Sequence, residues 1–420
     1  MTLDTAAHHE RHLLERPASR PPRFKEILKD FGPGYVSNGL VGFIFSASGP
    51  VAVTLAVGAA GGLSPEQMAS WVFAIFLSAG LATLLMSWLY RRPLGYGWSI
   101  PGTVLLGPSF THLSFPEVVG AFFTCGVLIL ALGFSGVIRK VMKAIPMPIV
   151  MAMVAAVFLR FGTDVVVSSQ TNLSIAAPMI AVFLLLTAVP KLGKMMPPVL
   201  GTLITGVLVC LFTGQFNPLG TGAIFAEPVI TAPEFTWAAQ LELVIPLAIT
   251  VLFVQNGQGI AVLRAAGHHP PVNMFAVSSG AFSIVNALFG AVSACVTGPT
   301  NAMLTQSGEK HRQYTAALTH GTLCLLFALF APVLTRFMLS APNEFILTLG
   351  GLAMIKALLQ AFVVAFSSAY TMGALTTFVV TISGLSIWNI HPAFWGLVIG
   401  YAVSRILERE DYRTTAPGSL

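Results

Sequence analysis

The sequence predicts an all-α polytopic membrane protein with fourteen transmembrane segments, arranged as a 7+7 inverted repeat. Apolar residues make up 55% of the 420 residues and charged residues only 9%, whereas soluble domains carry about 25% charged residues. Apolar segments recur along both halves of the chain, which a polar, acidic loop at 216–239 separates. Four interruptions rich in Gly, Pro, Ser and amides also fall at corresponding places in the two halves.

The apolar segments follow a polar N-terminal tail at residues 1–34. In the first half they lie near 36–58, 68–89, 98–110, 116–136, 145–160, 173–189 and 196–214. In the second half they lie near 240–264, 272–290, 291–307, 313–338, 343–357, 359–383 and 389–407, followed by a tail at 409–420. The third and tenth segments, 98–110 and 291–307, are shorter than the roughly 20 residues of a full span. We therefore predict short half-helices there.

The positions of Lys and Arg support this count. With the N-terminus in the cytoplasm and both short segments counted as crossings, 20 of the 22 Lys and Arg residues fall in cytoplasmic stretches, as the positive-inside rule requires. Arg160 and Arg336 fall outside, and Lys356 is assigned to the cytoplasmic end of the twelfth segment. We expect both termini in the cytoplasm and a second half that enters the membrane from the opposite side, as in many secondary transporters.

The four interruptions are the candidate functional elements. The first segment is interrupted at Phe45–Pro50 and the eighth at the polar stretch Gln255–Gly259, which we predict to break the helix. The third and tenth segments, starting at Tyr96 and Phe289, each show an aromatic-Gly start, a short extended piece and a Gly/Pro pair that opens a half-helix. Gly costs about 1 kcal/mol relative to Ala in a helix, and buried amides need partners. Such residues should face protein or a water-filled cavity.

Two half-helices entering from opposite faces would aim their N-termini at one point near the membrane midplane. Helix N-termini offer free N–H groups and a partial positive charge, so they can bind an anion without Lys or Arg. The predicted ligand is a small organic anion with a planar apolar part. The predicted substrate-binding residues are Ser46, Ser48, Ser99, Gly102, Thr103, Gln255, Asn256, Gln258, Thr297, Gly298, Thr300 and Asn301. Phe45, Tyr96 and Trp98 are candidate contacts for the apolar part.

Several alternatives stay open. Gly, Ser and Thr often serve only close packing in membrane helices, and Tyr96 and Trp98 are also typical of membrane-interface anchors. Acidic residues lie only in tails, loops or segment ends, so the candidates for proton coupling are Glu242 and His320, unless a weak acid carries its own proton or transport is uncoupled. The four Cys residues show neither disulfide nor metal spacing. We expect no metal, no cofactor, no enzyme activity and no nucleic-acid partner.

Three phrases carry a resemblance to the benzoate:proton symporter (BenE-type) family, a distant relative of nucleobase permeases and anion exchangers. They are Trp98–Leu106 (WSIPGTVLL), Leu159–Gly162 (LRFG) and Gln255–Gly267 (QNGQGIAVLRAAG), the last followed by a Pro pair. The resemblance covers roughly 30–408. The tenth segment departs from the family pattern at Val292 and Cys295, where the family has a His and an Asn.

The resemblance implies a core domain from segments 1–4 and 8–11 (residues 35–138 and 240–339) and a gate domain from segments 5–7 and 12–14 (139–215 and 340–408). It also implies an elevator-like motion of core against gate, commonly in a homodimer, in a bacterial-type inner membrane. With the predicted anion site, it leads us to expect a secondary transporter that carries benzoate or a close analogue together with a proton. The alternatives are a nucleobase or inorganic-anion permease of the same fold, and an anion channel.

Overall fold

The structure is a computed structural model that describes residues 14–138, 146–218, 221–306, 308–367, 369–385, 387 and 392–414. Six helices within these ranges are long and apolar enough to span a bilayer, and a seventh span results if a helix pair bent by 73° is counted as one. The predicted class, an all-α membrane protein, is confirmed. The number of fourteen crossings and the inverted repeat stay predictions. The start of segment 389–407 and parts of both tails lie outside the described residues.

The helices are named here in chain order. The first half has α1 (Phe24–Asp30), α2 (Pro33–Ala47), α3 (Gly49–Ala60), α4 (Pro65–Tyr90), α5 (Ile100–Ser109), α6 (Phe115–Ser135), α7 (Met147–Thr171), α8 (Leu173–Ala188), α9 (Pro190–Met195) and α10 (Pro198–Phe212). The second half has α11 (Trp237–Ala265), α12 (Val272–Leu288), α13 (Gly298–Leu304), α14 (Tyr314–Leu329), α15 (Ala331–Ser340), α16 (Asn343–Phe366), α17 (Thr371–Ile382), α18 (Pro392–Leu407) and α19 (Arg409–Thr414). Two strands, β1 (Tyr96–Trp98) and β2 (Ala294–Val296), precede α5 and α13.

The predicted interruption of the first segment lies at Ser48. This residue has φ −104° and ψ −95°, outside the helical range, so that α2 ends before it and α3 begins after it. Pro50 takes the second position of α3, where its missing N–H costs no helical hydrogen bond. A methyl group at Gly49 would overlap the side chain of Ala353 in α16. The break therefore brings the backbone of the first segment directly against α16.

The third and tenth segments meet, as predicted. β1 and β2 form an antiparallel pair in which Gly97 lies opposite Cys295, and every residue of both strands is buried. The two strands run in opposite directions, and each leads within two residues into its helix. Pro101 and Pro299 lie in the first turns of α5 and α13. The predicted pattern of extended piece and half-helix is confirmed in both segments.

The eighth segment is not broken, and that part of the prediction is wrong. α11 is uninterrupted, but Gln240–Val244 and Thr250–Gln255 are π-helical, with one extra residue per turn. One amide of the polar stretch is bonded to the neighbouring strand: Asn256 Oδ1 accepts a hydrogen bond from the backbone N–H of Val296 at 2.8 Å. Gly259 packs against the same residue. A wide π turn therefore takes the place of the predicted break.

The helix of the twelfth predicted segment, α16, is longer than predicted. The sequence placed a boundary between 343–357 and 359–383, but α16 continues to Phe366. Lys356 therefore lies inside α16, and its assignment to a cytoplasmic helix end is corrected. The lysine lowers the local hydropathy, yet the Ala, Leu and Gln residues around it are strong helix formers, so the helix continues. α7 likewise runs to Thr171, beyond the predicted end at 160.

The helices pack in two sets. One set joins α14 with α2 and α4, α6 with α12, α13 with α2, and α3 with α5. The other joins α7 with α16 and α17, α8 with α10, and α17 with α18. The sets meet where α3 packs against α16 and α5 approaches α7. Both interruptions of the first half, at Ser48 and at the start of α5, lie at this meeting.

Candidate substrate site

A cavity of about 700 Å³ lies between the two sets of helices. Its near wall is formed by the break between α2 and α3, the first turns of α5 and α13, and the α11 turn that follows the second π stretch. Its far wall is formed by α7, α8, α10 and α16. The predicted site residues that line it are Phe45, Ser46, Ser48, Trp98, Gln255, Gln258, Thr297, Gly298 and Thr300. The interruptions found in the sequence therefore border the same cavity.

In the part of the chain that the structure describes, three residues on the wall carry polar side-chain groups without a hydrogen-bond partner, and the hydroxyl oxygen of Thr297 is buried. Within the described residues, Thr297 Oγ1 has no hydrogen-bond partner, and the amides of Gln255 and Gln258 make no side-chain hydrogen bond. Gln258 lies directly over Gly298, whose Cβ, if present, would be 2.9 Å from Gln258 Cβ. Hydroxyl and amide groups are donors that suit an anion. The free donors therefore gather beside the first turn of α13.

The two serines at the first break use their hydroxyl protons locally. Ser46 Oγ donates to the carbonyl of Gly42 at 3.2 Å, and Ser48 Oγ donates to the carbonyl of Phe45 at 3.1 Å. A hydroxyl has one proton to donate. These side chains therefore offer the cavity only acceptor oxygens, which suit an anion less well than the donors beside α13.

The predicted residues at the start of α5 lie behind the cavity wall. Ser99 Oγ accepts a hydrogen bond from the backbone N–H of Gly102 at 3.1 Å and bonds to Thr250 Oγ1 at 2.9 Å. Thr103 Oγ1 donates to the Ser99 carbonyl at 3.0 Å. The protein itself satisfies this first turn, whereas the corresponding cap of α13, Thr297, makes no side-chain cap hydrogen bond.

Asn256 and Asn301 hold the strand pair in place and do not line the cavity. The Asn256 amide bonds to Ser279 Oγ at 3.3 Å in addition to the β2 backbone. Asn301 bonds to both the N–H and the carbonyl of Gly95, each at 2.9 Å. Because both amides bond to groups of the protein, they would act on the site by holding the strand pair in position.

The three aromatic candidates are placed differently. Trp98 lines the cavity with only 2% of its surface exposed, and its Nε1 donates to Thr54 Oγ1 at 3.1 Å. Phe45 also lines the cavity. Tyr96, the first residue of β1, is fully buried, and its hydroxyl lies 2.7 Å from Ser278 Oγ. The burial of Tyr96 and Trp98 inside the protein argues against the alternative that they anchor the chain at the membrane interface.

The two candidates for proton coupling lie away from the cavity. Glu242, 1% exposed, accepts a hydrogen bond from Ser109 and lies 2.8 Å from His112 Nε2. This cluster joins the start of α11 to the end of α5. His320 is buried in α14, with its Nε2 3.5 Å from Cys324 Sγ.

The far wall was not predicted from the sequence. It is mostly apolar, with Met151 and Phe158 of α7 among its residues, and it also carries Lys356 of α16. Met and Phe in an apolar segment look the same whether they face lipid or a cavity. Lys356 did carry a signal, because no other Lys, Arg, Asp or Glu occurs between Glu344 and Arg405.

Comparison with known proteins decides the family. The family described as Benzoate membrane transport protein (BenE) matches residues 29–406 of the chain. The chain belongs to the BenE family. The benzoate membrane transport protein of Acinetobacter baylyi is 28% identical over 391 residues, which cover 91% of this chain and 97% of that protein. The inner membrane protein YdcO of Escherichia coli is 30% identical over 369 residues, covering 86% and 91%. The resemblance drawn from the sequence phrases is confirmed.

Solved structures show what fold this BenE-family chain adopts. The murine anion transporter Slc26a9 in an inward-facing state has a TM-score of 0.63 at 13% identity, over 91% of this chain and 69% of that one. A second SLC26A9 structure also gives 0.63, and the chain spans 66% of its length. The transmembrane domain of the cyanobacterial bicarbonate transporter BicA has a TM-score of 0.57 at 14% identity, covering 93% and 98%. At these identities the likeness concerns the fold alone.

Proposed function

We propose that this BenE-family protein is a secondary transporter of a small aromatic carboxylate, benzoate or a close analogue. The observation that carries the proposal is a cavity whose wall combines the unpaired polar groups of Thr297, Gln255 and Gln258 with an otherwise mostly apolar lining. Benzoate has the matching two ends, a carboxylate that accepts hydrogen bonds and a planar apolar ring. The name of the Acinetobacter baylyi relative supports the same substrate class.

The carboxylate is placed beside the first turn of α13. There the Thr297 hydroxyl and the Gln258 amide would donate to its oxygens. The sequence led us to expect it between Gly102–Thr103 and Gly298–Thr300. We now favour the α13 side, because the Gly102 N–H is already bonded to Ser99.

The ring is placed in the apolar part of the cavity. Phe45 and Trp98 lie on the near wall, and Met151 and Phe158 lie on the far wall. Aromatic rings and the polarizable Met side chain make favourable contacts with a planar ring. Because the two walls belong to different helix sets, the bound substrate would contact both sets.

The two helix sets are proposed to be the core domain (35–138 and 240–339) and the gate domain (139–215 and 340–408), within fourteen crossings and a 7+7 repeat. The packing of the helices supports the division, because nearly all the close helix pairs fall within one set. An elevator-like movement of the core against the gate would carry the site across the membrane. A homodimer in a bacterial inner membrane is the proposed assembly.

The cavity is proposed to open to the cytoplasm, with both termini on that side. Its lining residues lie in the second half of α11 and, on α16, run from Leu352 toward the C-terminal end at Val364. Arg264 lies in the last turn of α11, and the positive-inside rule assigns that end to the cytoplasm. The described conformation would then be inward-open.

Proton symport is part of the proposal, with Glu242 as the proton carrier in preference to His320. The Glu242 side chain is 2% exposed but bonds to His112, whose side chain is 36% exposed and connects it to solvent. His320 is fully buried beside Cys324. Intramembrane carboxylates commonly mark proton paths. The contact between Glu242 and Ser109 also links α11 to α5, and residues of both helices line the cavity.

Uptake of labelled benzoate into proteoliposomes tests the proposal. We expect saturable uptake above that of protein-free vesicles, which correct for diffusion of neutral benzoic acid, and stimulation by an inward-directed proton gradient. Competition by uracil or sulfate in place of aromatic acids would identify the permease alternatives, and ohmic anion currents would identify a channel. Absence of saturable uptake for every aromatic acid tested would sink the substrate assignment.

A further inference from the structure

Lys356 stands out among the residues that line the cavity. It is the one Asp, Glu, Lys, Arg or His side chain on the wall within the described part of the chain. No carboxylate of the described residues lies within ion-pair distance of it. Lys356 is exposed in the structure, and a charged residue in the middle of a spanning helix usually marks a substrate or ion path.

The position of Lys356 in α16 brings it near the first break. It lies about 20 Å along the helix from Asn343, at a rise of about 1.5 Å per residue. Ala353, three residues earlier and therefore on the same face, packs against Gly49. Lys356 is thus about one turn from the contact between α16 and the break, on the wall opposite Thr297 and Gln258.

We propose that Lys356 selects for the negative charge of the substrate. The inference rests on the proposed function: the donors beside α13 hold the carboxylate oxygens, and the Lys356 ammonium on the facing wall supplies the compensating charge. The near wall offers only neutral donors. Neutral molecules of the same shape would satisfy the apolar wall but gain nothing from Lys356, so the residue separates aromatic carboxylates from uncharged analogues.

The test is binding of benzoate and of benzamide, its uncharged analogue, to the purified full-length protein in nanodiscs. Lys356→Gln is expected to weaken benzoate binding about tenfold, a modest factor because water in the cavity screens the charge. Benzamide binding should not change. Lys356→Arg should stay within about threefold of the parent. Lys191→Gln, which removes an exposed lysine outside the cavity wall, is the matched control and should have no effect.

A second readout is the dependence of benzoate affinity on salt. The parent should lose affinity between low and high ionic strength, and Lys356→Gln should lose less, because screening acts on the charge that the variant lacks. Benzoate binding by Lys356→Gln equal to that of the parent, with the same salt dependence, would overturn the inference while leaving the proposed function intact. If the parent itself shows no saturable benzoate binding, the proposed function fails and the inference falls with it. Thermal unfolding of each variant identifies misfolding, and Lys356→Met then serves as the second neutral replacement.

Discussion

The close packing of α11 on β2 predicts a specific effect of adding one methyl group at Gly259. A Cβ at this position would lie 2.6 Å from Val296 Cγ1 and 3.3 Å from the Val296 carbonyl oxygen. Overpacking of this kind costs about 1–3 kcal/mol, while Gly→Ala in a helix gains about 1 kcal/mol. Gly259→Ala should therefore destabilise the protein by up to about 2 kcal/mol.

Gly107→Ala in α5 is the matched control. No atom lies within 4 Å of a Cβ at Gly107, so this variant should gain up to about 1 kcal/mol from helix propensity alone. The measurement is the thermal unfolding temperature of each variant in detergent. Gly259→Ala should unfold at a lower temperature than Gly107→Ala, and benzoate uptake should also fall, because Val296 leads directly into Thr297.

The double variant Gly259→Ala with Val296→Ala isolates the contact. Removing Cγ1 makes room for the new methyl group, so the two changes together should cost about 1–2 kcal/mol less than their sum. Additive effects of the two changes, or a Gly259→Ala protein as stable and as active as Gly107→Ala, would refute the packing of α11 on β2 described here.

Three further predictions follow from single side chains. Thr297→Val should leave the unfolding temperature unchanged or slightly higher, because the hydroxyl has no partner in the described protein, and should weaken benzoate binding about tenfold. Thr103→Val should instead cost about 1 kcal/mol of stability and leave the affinity for benzoate unchanged. Burial lowers the pKa of His268, in the loop before α12, from its ordinary value of 6.5. The unfolded chain therefore binds this proton more readily, and the stability of the folded protein should fall as the pH drops below 6.5. His268→Gln should flatten that dependence in a thermal-unfolding pH series, and an unchanged slope would contradict the prediction. Glu242→Gln should abolish the stimulation of uptake by a proton gradient, whereas His320→Asn should retain it; the reverse result would reassign the proton.

Local sequence determined much of this fold because Pro and Gly act on their own backbone. Pro50, Pro101 and Pro299 lack an N–H and are tolerated best in the first turn of a helix, so together with the neighbouring Gly residues they allowed the positions of three interruptions to be predicted from the residues alone. The polar stretch from Gln255 could not be judged in the same way. Whether it breaks the helix depends on a partner about 40 residues away, the Val296 N–H that Asn256 accepts.

The site was predictable on one side only. The near wall is made of interruptions, which stand out against an apolar background. The far wall is made of residues such as Met151 and Phe158, and an apolar side chain gives no sign of whether it faces lipid, protein or a cavity. Lys356 stands out in the sequence, but the positive-inside rule takes a lone lysine as the mark of a helix end, whereas α16 continues through it to Phe366.

The two strand–helix units share a sequence pattern but differ in the groups that they leave free. At α5 the cap residue Ser99 bonds to its own helix and to Thr250, which fastens this unit to α11. At α13 the side-chain hydroxyl of the equivalent residue, Thr297, has no hydrogen-bond partner in the described protein. The fastened unit positions the open one through the β1–β2 pair. A change at Thr103 on the α5 side should therefore lower stability, and a change at Thr297 should lower affinity, which is the distinction that the Thr103 and Thr297 variants measure.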